Sequence, residues 1–267
     1  MVGLTVSPSR DAALVRLAQF VPDAGRRYDV GRNTDAGPDH PSVVSGLSPY
    51  LRHRLITERE VIAQVLAVHD LDAAGKFVQE VLWRTYWKGW LSRRPTVWQD
   101  YCAELAAEQA SLPKQSRYHA IVTASSGIDC LDAWTRELID TGYLHNHARM
   151  WFASIWIFTL RLPWELGADF FLRHLIDGDS AANTLSWRWV GGLHTKGKTY
   201  LARASNIAQF TGGRFQPTGQ LAMTSKPLIE DIDHPVVPLP LPQPLPQGDY
   251  LQLITPQDCR PKPFTSR

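Results

Sequence analysis

Four short stretches of this 267-residue chain carry side chains whose types and spacing suit binding or catalysis. The first, Ser45-Gly46-Leu47-Ser48-Pro49, predicts a glycine turn that leads into a helix capped by Ser48, with Pro49 as the first helical residue. Gly46 lets a ligand approach the backbone closely, and free N–H groups at a helix start attract phosphate or pyrophosphate. Ser-Pro helix starts are also common as purely structural features, so this stretch alone leaves both interpretations open.

The second stretch begins with the turn Asp177-Gly178-Asp179. A helix that starts near Asp179 places Asp179, Asn183 and Trp187 on one face, at i, i+4 and i+8. A carboxylate, an amide and an indole then line one side of a slot. The later oxygen ligands and the bidentate glutamate of a calcium loop are absent from the sequence, which excludes that interpretation of Asp-Gly-Asp.

The third stretch is a helix start in which Asn146, Arg149 and Met150 share one face. Arg149 lies on an otherwise apolar helix, and an unpaired buried charge is costly. We therefore expect Asp177 to be its partner. The two histidines of this stretch, at 145 and 147, point to different faces, so no metal site is predicted.

In the fourth stretch Glu80, Trp83, Trp87 and Trp90 lie close to one helical stripe. Core packing explains Trp87 and Trp90, whereas a carboxylate beside an indole suits a polar ring that stacks on the indole and hydrogen-bonds the carboxylate. All ten Trp residues lie between Trp83 and Trp189. This concentration fits a helical core, and it also suits a flat aromatic ligand, a nucleic acid or electron transfer.

Composition limits the class of protein that holds these residues. Apolar residues make up 44% and the formal net charge is +2, which is typical of a globular protein and excludes a strongly basic coating protein while allowing a local basic groove. Three Cys are too few for a disulfide framework or an iron–sulfur cluster, and we expect reduced thiols in a cytoplasmic protein. The first residues show no signal-peptide pattern, and the longest apolar run, Met150–Leu160, is too short to cross a bilayer. No membrane association is expected.

Helical periodicity dominates the chain up to about residue 225, with no sustained strand alternation. A capping box at Thr57 and Glu60, a cap at Thr96 and a stop at Gly142 mark helix ends. The predicted helices are Ser9–Phe20, Glu58–Val68, Ala73–Arg93, Val97–Ala110, Ile128–Thr141, His145–Leu160, Trp164–Ile176 and Asp179–Trp189, and Tyr28–Val44 is predicted to be a long loop.

The sequence therefore predicts one all-α domain over residues 1–225 and a Pro-rich extension over residues 226–267. The run His234–Gln247 is polyproline-like and cannot continue a helix. We interpret the extension as an extended tail that is packed on the surface or disordered. A ligand for a proline-binding module is the less favoured alternative.

Four motifs now stand in order: SGLSPYL, EVLWR, HNHARM and LIDGDSAAN…WRW. Together they make the chain similar to the FAD-binding helical domain of the DNA photolyase and cryptochrome family, from about Tyr28 to about Phe210. The resemblance implies that family's all-α fold and noncovalent FAD as the cofactor. Only 27 residues precede Tyr28, so we expect a short member without the N-terminal antenna domain and without an antenna chromophore.

The resemblance also implies how FAD is held. Tyr28 and the loop Val44–Ser48 hold the phosphates, the Asp-Gly-Asp turn contacts the flavin and its ribityl chain, and Asn183 faces the flavin N5 edge. Val44 stands where the family has a threonine, which removes one phosphate contact. The full set of expected FAD-binding residues is Tyr28, Ser45, Gly46, Leu47, Ser48, Arg149, Asp177, Gly178, Asp179 and Asn183.

Electron supply is implied as well. In the family a tryptophan that corresponds to Trp187 passes an electron to the photoexcited flavin, and one that corresponds to Trp164 relays it. A third, more exposed tryptophan is expected near Ser111, where this chain has none. Trp98 and Trp134 are the two candidates to replace it.

On the DNA side, the resemblance assigns Glu80 and Trp83 to a flipped pyrimidine dimer. His147 replaces an arginine, which weakens phosphate binding because histidine is mostly uncharged near neutral pH. The expected DNA-binding residues are Arg32, Glu80, Trp83, Arg84, Asn146, His147, Met150, Trp189 and Gln209.

The function expected from this resemblance is light-driven repair of cyclobutane pyrimidine dimers in DNA, by electron transfer from reduced FAD. The residues expected to carry the chemistry are Glu80, Asn183, Trp187 and Trp164. One alternative is a cryptochrome-like photoreceptor that binds FAD without repair and signals to an unknown protein partner. Another is a helical structural protein that has lost its flavin.

Overall fold

The computed structural model describes residues 7–111, 116–241, 243–244 and 255–259, and this part of the chain is helical. Its only β contact is an isolated bridge between Thr255 and Asp258. The predicted all-α class is confirmed. The α-helices are α1 Arg10–Phe20, α2 Arg26–Gly31, α3 Ser48–Arg52, α4 Glu58–Leu66, α5 Leu71–Ser92, α6 Pro95–Ser111, α7 Ser116–Val122, α8 Asp129–Thr141, α9 Asn146–Ser154, α10 Trp164–His174, α11 Ser180–Gly191 and α12 Ala204–Phe210.

Local signals set most helix ends. Thr57 and Glu60 form the predicted capping box at the start of α4, and Gly142 ends α8 in the left-handed region at φ 67°. Two predicted caps are wrong. The α6 helix starts at Pro95, so Thr96 lies in its first turn and its hydroxyl instead contacts His234 Nδ1 at 3.0 Å.

Ser48 is the other corrected cap. It is the first residue of α3, and Leu47 occupies the position before it without a side-chain cap. The predicted loop after Tyr28 also begins later than expected, because Tyr28 lies inside the short helix α2. Gly46 does adopt a positive φ of 63°, as a tight turn there requires.

The buried side chains form two clusters. One joins α1 to α5, and the other joins α6 to α11 with part of α12. The predicted central helix lies in the second cluster, where α9 continues into a π-helical turn, Ile155–Thr159. Trp151, Phe152 and Trp156 on this segment are fully buried. The long helix α5 of the first cluster packs against α11 of the second, and the residues with candidate chemistry lie at this junction.

The described part of the Pro-rich extension packs on the helices without forming one. Arg188 of α11 makes two hydrogen bonds of 2.6 Å to the carboxylate of Glu230, and the Leu228 N–H donates to Gly191 O at 3.0 Å. Further along, the Val237 N–H donates to Arg93 O at 2.8 Å. Residues 242, 245–254 and 260–267 of the predicted extension lie outside the described residues.

Within the described ranges, no helix combines the length and the apolar composition that a bilayer crossing requires.

Candidate functional site

Asp179 lies at the centre of the junction between the two clusters. Its Oδ1 accepts the N–H groups of Ala181 and Ala182 at 3.1 and 3.0 Å, so the side chain is the N-cap of α11. Its Oδ2 faces three cations at 3.6–4.0 Å, namely Lys88, Arg52 and Arg84. Glu58 faces Arg84 at 4.0 Å as well. Three cations against two carboxylates leave a net positive charge, which attracts an anionic ligand.

Several buried polar atoms beside Asp179 have no hydrogen-bond partner. Arg52 donates from Nε to Gly178 O at 2.6 Å, but its Nη1 is unpaired. Arg84 is only 13% exposed, and its Nε and Nη2 make no hydrogen bond. Asp177 Oδ1 is unpaired as well. Because each such atom costs about 1–3 kcal/mol of desolvation, their convergence marks a place where a polar ligand completes the hydrogen bonding.

The ion pair expected between α9 and the Asp-Gly-Asp turn is present. Arg149 Nη2 donates to Asp177 Oδ2 at 3.0 Å, and Arg149 Nε donates to Leu144 O at 2.8 Å. Burial alone would raise the pKa of Asp177, but the Arg149 guanidinium, with smaller contributions from Ser48 and Arg84, outweighs it and holds that pKa below its usual value. Asp177 is therefore a carboxylate at neutral pH, fixed at the wall of the site.

The loop before α3 is held in place by hydrogen bonds to its backbone. Leu47 is buried, and its N–H donates to the Ser45 hydroxyl at 3.2 Å. Arg16 of α1 donates from Nε to Ser45 O at 2.7 Å. These bonds give the glycine turn a fixed shape, as a loop that receives phosphate groups needs.

On α11, the amide and the indole expected in the slot are both buried. Asn183 Nδ2 donates to Ala168 O at 2.8 Å, which fixes the orientation of the amide. Trp187 packs edge-on against Phe171 and Trp156, with ring centroids 5.2 and 6.0 Å apart. A Cβ at Gly167 would lie 2.3 Å from the Trp187 ring, so this packing requires glycine there.

The structure separates the two candidates for a distal electron relay. Trp164 contacts Tyr101 at 5.5 Å between centroids, and Tyr101 contacts Trp98 at 5.1 Å. Trp98 is only half-buried, so this series of rings leads from the core towards solvent. Trp134 is fully buried, stacks on Trp151 and donates to Asp35, with no ring contact to Trp164 among the described residues. Nor do Trp187 and Trp164 themselves form a ring contact in the described part of the chain.

Tyr28, Glu80 and Arg32 lie close together where α2 meets α5. Burial raises the pKa of Tyr28, and the Glu80 carboxylate adds to that rise. Burial also raises the pKa of Glu80, opposed by Arg32 and Lys76. Glu80 is nevertheless exposed as a residue, so it is accessible to a ligand at the surface.

The expected DNA-binding residues differ in how available they are. Trp83 is 39% exposed, and Asn146 and Gln209 are exposed as well. Met150 and Trp189 are half-buried, and Trp189 is stacked on Tyr200. Arg32 is held by its neighbour Asp29.

Two of these expected contacts are less suited to DNA. Arg84 lies inside the junction with Asp179, not on the outer surface, because its position on α5 turns it towards α11. His147 Nδ1 contacts Asn33 O at 3.0 Å and its Nε2 contacts Tyr200 Oη at 3.2 Å. Both ring nitrogens are thus engaged within the protein, and burial lowers the pKa of the ring.

Sequence reasoning missed Arg52 and Lys88 as members of the site. Lys88 follows Arg84 by one helical turn, so the helical spacing of the two cations was a usable signal. Arg52 closes the motif SGLSPYLR, but its contact with Gly178 joins residues 126 positions apart. That long-range contact has no local signal.

Comparison with known proteins gives a consistent relationship. Residues 77–253 match the family model described as the FAD-binding domain of DNA photolyase. A deoxyribodipyrimidine photo-lyase of Synechococcus is 31% identical over 194 residues, which cover 70% of this chain and 39% of that protein. A protein of the same name from Thermus thermophilus is 31% identical over 222 residues, which cover 80% of this chain and 49% of that protein.

Solved structures agree in fold. A bacterial class III photolyase from Agrobacterium tumefaciens superposes with a TM-score of 0.65 at 26% identity, over 78% of this chain and 44% of that one. An archaeal photolyase from Sulfolobus tokodaii has a TM-score of 0.62 at 18% identity, over 85% of this chain and 54% of that one, and shares the fold. This chain therefore spans about one third to one half of the length of the relatives it matches.

The residues of the junction fit FAD, the cofactor of the matched domain. FAD carries an anionic pyrophosphate together with a ring edge and hydroxyl groups that donate and accept hydrogen bonds. The unpaired Arg52 and Arg84 nitrogens supply cationic donors, and the unpaired Asp177 Oδ1 supplies an acceptor. Tyr28 and the Ser45–Ser48 loop precede the matched range of residues, and their contacts with FAD stay predictions.

Proposed function

The chain belongs to the DNA photolyase family through its FAD-binding domain, and from this we propose that it is a flavin-dependent, light-driven lyase that splits cyclobutane pyrimidine dimers in DNA. The observation that carries the proposal is the pairing of Glu80 with Trp83. They lie one helical turn apart on α5, with an exposed indole and a carboxyl whose pKa is raised. The same helix carries Arg84 and Lys88 into the cofactor junction.

In the proposed mechanism, α5 serves both halves of the site. Trp83 stacks on the base of a flipped dimer, and flipping is least costly where the lesion has already weakened base pairing. Glu80, one helical turn away, hydrogen-bonds the polar edge of that base. Arg52, Arg84 and Arg149 would hold the cofactor, with Asp177 and Asp179 fixing their geometry.

FAD, when bound and reduced, supplies the light-excited electron that opens the dimer and receives it back. The protein's own residues bind, orient and exclude water. The buried rings of Trp187, Phe171 and Trp156 form an apolar layer behind α11. Asn183 presents a fixed amide beside them, because its Nδ2 is held by Ala168 O. We propose that Trp187 and Trp164 restore the reduced cofactor.

The proposal is tested by measuring dimer repair under blue light on single- and double-stranded oligonucleotides, with the flavin reduced beforehand. We expect yellow protein with about one FAD per chain and light-dependent repair. Trp83→Ala should weaken binding of damaged DNA about tenfold or more, since one base stack is worth about 1–3 kcal/mol. Glu80→Gln should lower repair more than binding, because the stacking ring remains.

FAD content should be unchanged in both variants, which separates loss of substrate contacts from loss of the cofactor. A wild-type protein that binds FAD and is photoreduced, yet repairs neither substrate, would refute the enzyme proposal.

A second candidate is a photoreceptor that binds FAD without repairing DNA. His147 favours it, because both of its ring nitrogens are engaged within the protein and neither is free for a DNA phosphate. The distinguishing measurement is photoreduction together with repair. Trp187→Phe should strongly slow photoreduction under either function. A photoreceptor shows no repair in the wild type, whereas a lyase shows repair that falls when Glu80 is changed.

A further inference from the structure

One exposed face of α5 carries a continuous stripe of aromatic side chains that extends beyond Trp83. Trp83, Tyr86, Trp87 and Trp90 follow one another at helical spacing, and Trp83 and Trp87 stack with their planes 23° apart. Tyr86 is 44% exposed, and Trp87 and Trp90 are half-buried. Large rings on a solvent-facing helix face are unusual unless something covers them.

The stripe is rigid because a loop after α11 is packed against it. His194 contacts Trp87 and Trp90 at 4.8 Å between ring centroids, and its Nε2 lies 3.3 Å from Tyr86 Oη. Burial, with the nearby cations Arg188 and Arg94, lowers the pKa of His194 to about 4. The ring is therefore neutral at pH 7 and fixes the aromatic side chains in place.

The charges along the stripe beyond Glu80 are positive. Arg94 lies over the Trp90 ring, with its Cζ 4.3 Å from the centroid. The loop that His194 anchors exposes Lys196 and Lys198 to solvent. Between positions 81 and 94 the chain has no Asp or Glu. This charge suits a polyanion and opposes an acidic protein surface.

A shallow, open depression of about 500 Å³ lies on α5 at the N-terminal end of the stripe, where its lining residues are Gly75, Val78, Gln79, Leu82, Trp83 and Tyr86. Gly75 forms part of it, and a Cβ added there would meet nothing within 4 Å. From Trp83 to Trp90 the helix rises about 10 Å at 1.5 Å per residue. That length matches about three stacked bases at 3.4 Å each.

We infer that this stripe binds the unpaired strand next to the lesion, with Tyr86, Trp87 and Trp90 receiving bases and Lys196 and Lys198 receiving phosphates. Rings that stack on bases inside a positively charged groove are the usual means of binding single-stranded nucleic acid. Paired bases in a duplex do not expose their faces, so the surface selects single-stranded DNA. The inference rests on the proposed DNA-repair function and specifies its substrate as a single strand.

The test measures binding of undamaged, labelled oligo(dT) and of a duplex of equal length to the FAD-loaded full chain by fluorescence anisotropy. We expect the single strand to bind more tightly than the duplex. Trp90→Leu and Tyr86→Leu should each weaken single-strand binding at least about fivefold. Tyr86→Phe, which keeps the ring, should retain it.

Two further variants sharpen the result. Leu71→Ala changes an apolar side chain that is 63% exposed on the same helix but off the stripe, and it should have no effect. Changing Lys196 and Lys198 together to Gln should lower the dependence of log K on log salt by about one to two. FAD content and thermal unfolding should match the wild type in every variant.

Wild-type affinity in both Leu variants, or equal affinity for duplex and single strand, would overturn the inference. The inference would also be overturned if the protein forms a homodimer that Trp90→Leu dissociates while DNA binding stays unchanged. The stripe would then bind a second copy of the chain. If the wild type repairs dimers and both Leu variants bind the single strand normally, the inference about the stripe is wrong and the proposed lyase activity stands. If single-strand binding depends on the stripe but the wild type repairs no dimer, the proposed lyase activity is wrong instead.

Discussion

Replacing Arg149 by Met should destabilise the protein in a pH-dependent way. The substitution keeps the apolar part of the side chain and removes the guanidinium from Asp177, whose side chain is only 5% exposed. Removing one partner of a buried pair costs about 3–5 kcal/mol when the other stays charged. Asp177 has an alternative, because it can take up a proton.

That alternative sets the magnitude. Protonating an ordinary aspartic acid at pH 7 costs about 4 kcal/mol, from 1.36 kcal/mol per unit over the three units above a pKa of about 3.9. The loss from Arg149→Met should therefore be about 3–4 kcal/mol at pH 7. Near pH 4 protonation costs almost nothing, and only the lost hydrogen bonds, about 1 kcal/mol, should remain.

The sign agrees with the lowered pKa of Asp177 in the folded protein. A group whose folded pKa is depressed contributes stability above its unfolded pKa and loses it as the pH falls through the folded pKa. The pair therefore stabilises the wild type at neutral pH and not in strong acid.

The assay is urea unfolding of the flavin-free protein at pH 7 and at the lowest pH where folding is reversible. Asp177→Asn and the double variant complete a double-mutant cycle, in which we expect a coupling of about 2–3 kcal/mol at pH 7. Additive losses, or a loss from Arg149→Met that does not change with pH, would refute the argument.

Three other predictions concern other parts of the molecule. Trp98→Phe should slow blue-light reduction of the flavin several-fold while Trp134→Phe leaves it unchanged, followed as loss of flavin absorbance with an external reductant; the reverse order would refute the ring series to Trp98. Burial raises the pKa of Glu165 to about 8, so the folded protein keeps a proton that the unfolded chain loses, and stability should fall by up to about 1.4 kcal/mol per unit between about pH 5 and 8. Glu165→Gln should flatten that decline in urea unfolding, and an unchanged slope would contradict the assignment. Glu230→Gln should cost about 2–4 kcal/mol, because it leaves the Arg188 side chain, 4% exposed, without its carboxylate; an unchanged unfolding midpoint would mean that the extension adds no stability.

Residues close together in sequence determine many of the helix ends. The capping box at Thr57 and the stop at Gly142 involve groups within four residues of each other, so they act alike in any tertiary context. The failure at Thr96 has a tertiary cause, since its hydroxyl contacts His234, 138 positions away.

Part of the site was also predictable from charge. A lone arginine on an apolar helix requires a buried partner, and this argument predicts the pair of Arg149 with Asp177 that the structure contains. The cofactor was predictable from the four motifs, because their occurrence in one order identifies a family that no single motif identifies. The cation cluster around Asp179 was not predicted, because the sequence analysis assigned Arg84 to DNA binding and did not include Arg52 or Lys88.

What the sequence by itself determined is thus the all-α class, the main helices and a family whose cofactor is FAD. Only the tertiary structure decided that Arg84 faces inward, that Trp98 and not Trp134 continues from Trp164, and that the extension returns to pair with Arg188. The physical reason is the distance along the chain between the interacting residues. Helix propensity and capping depend on neighbours within about one turn, whereas the direction of a charged or aromatic side chain depends on which distant helix lies against it.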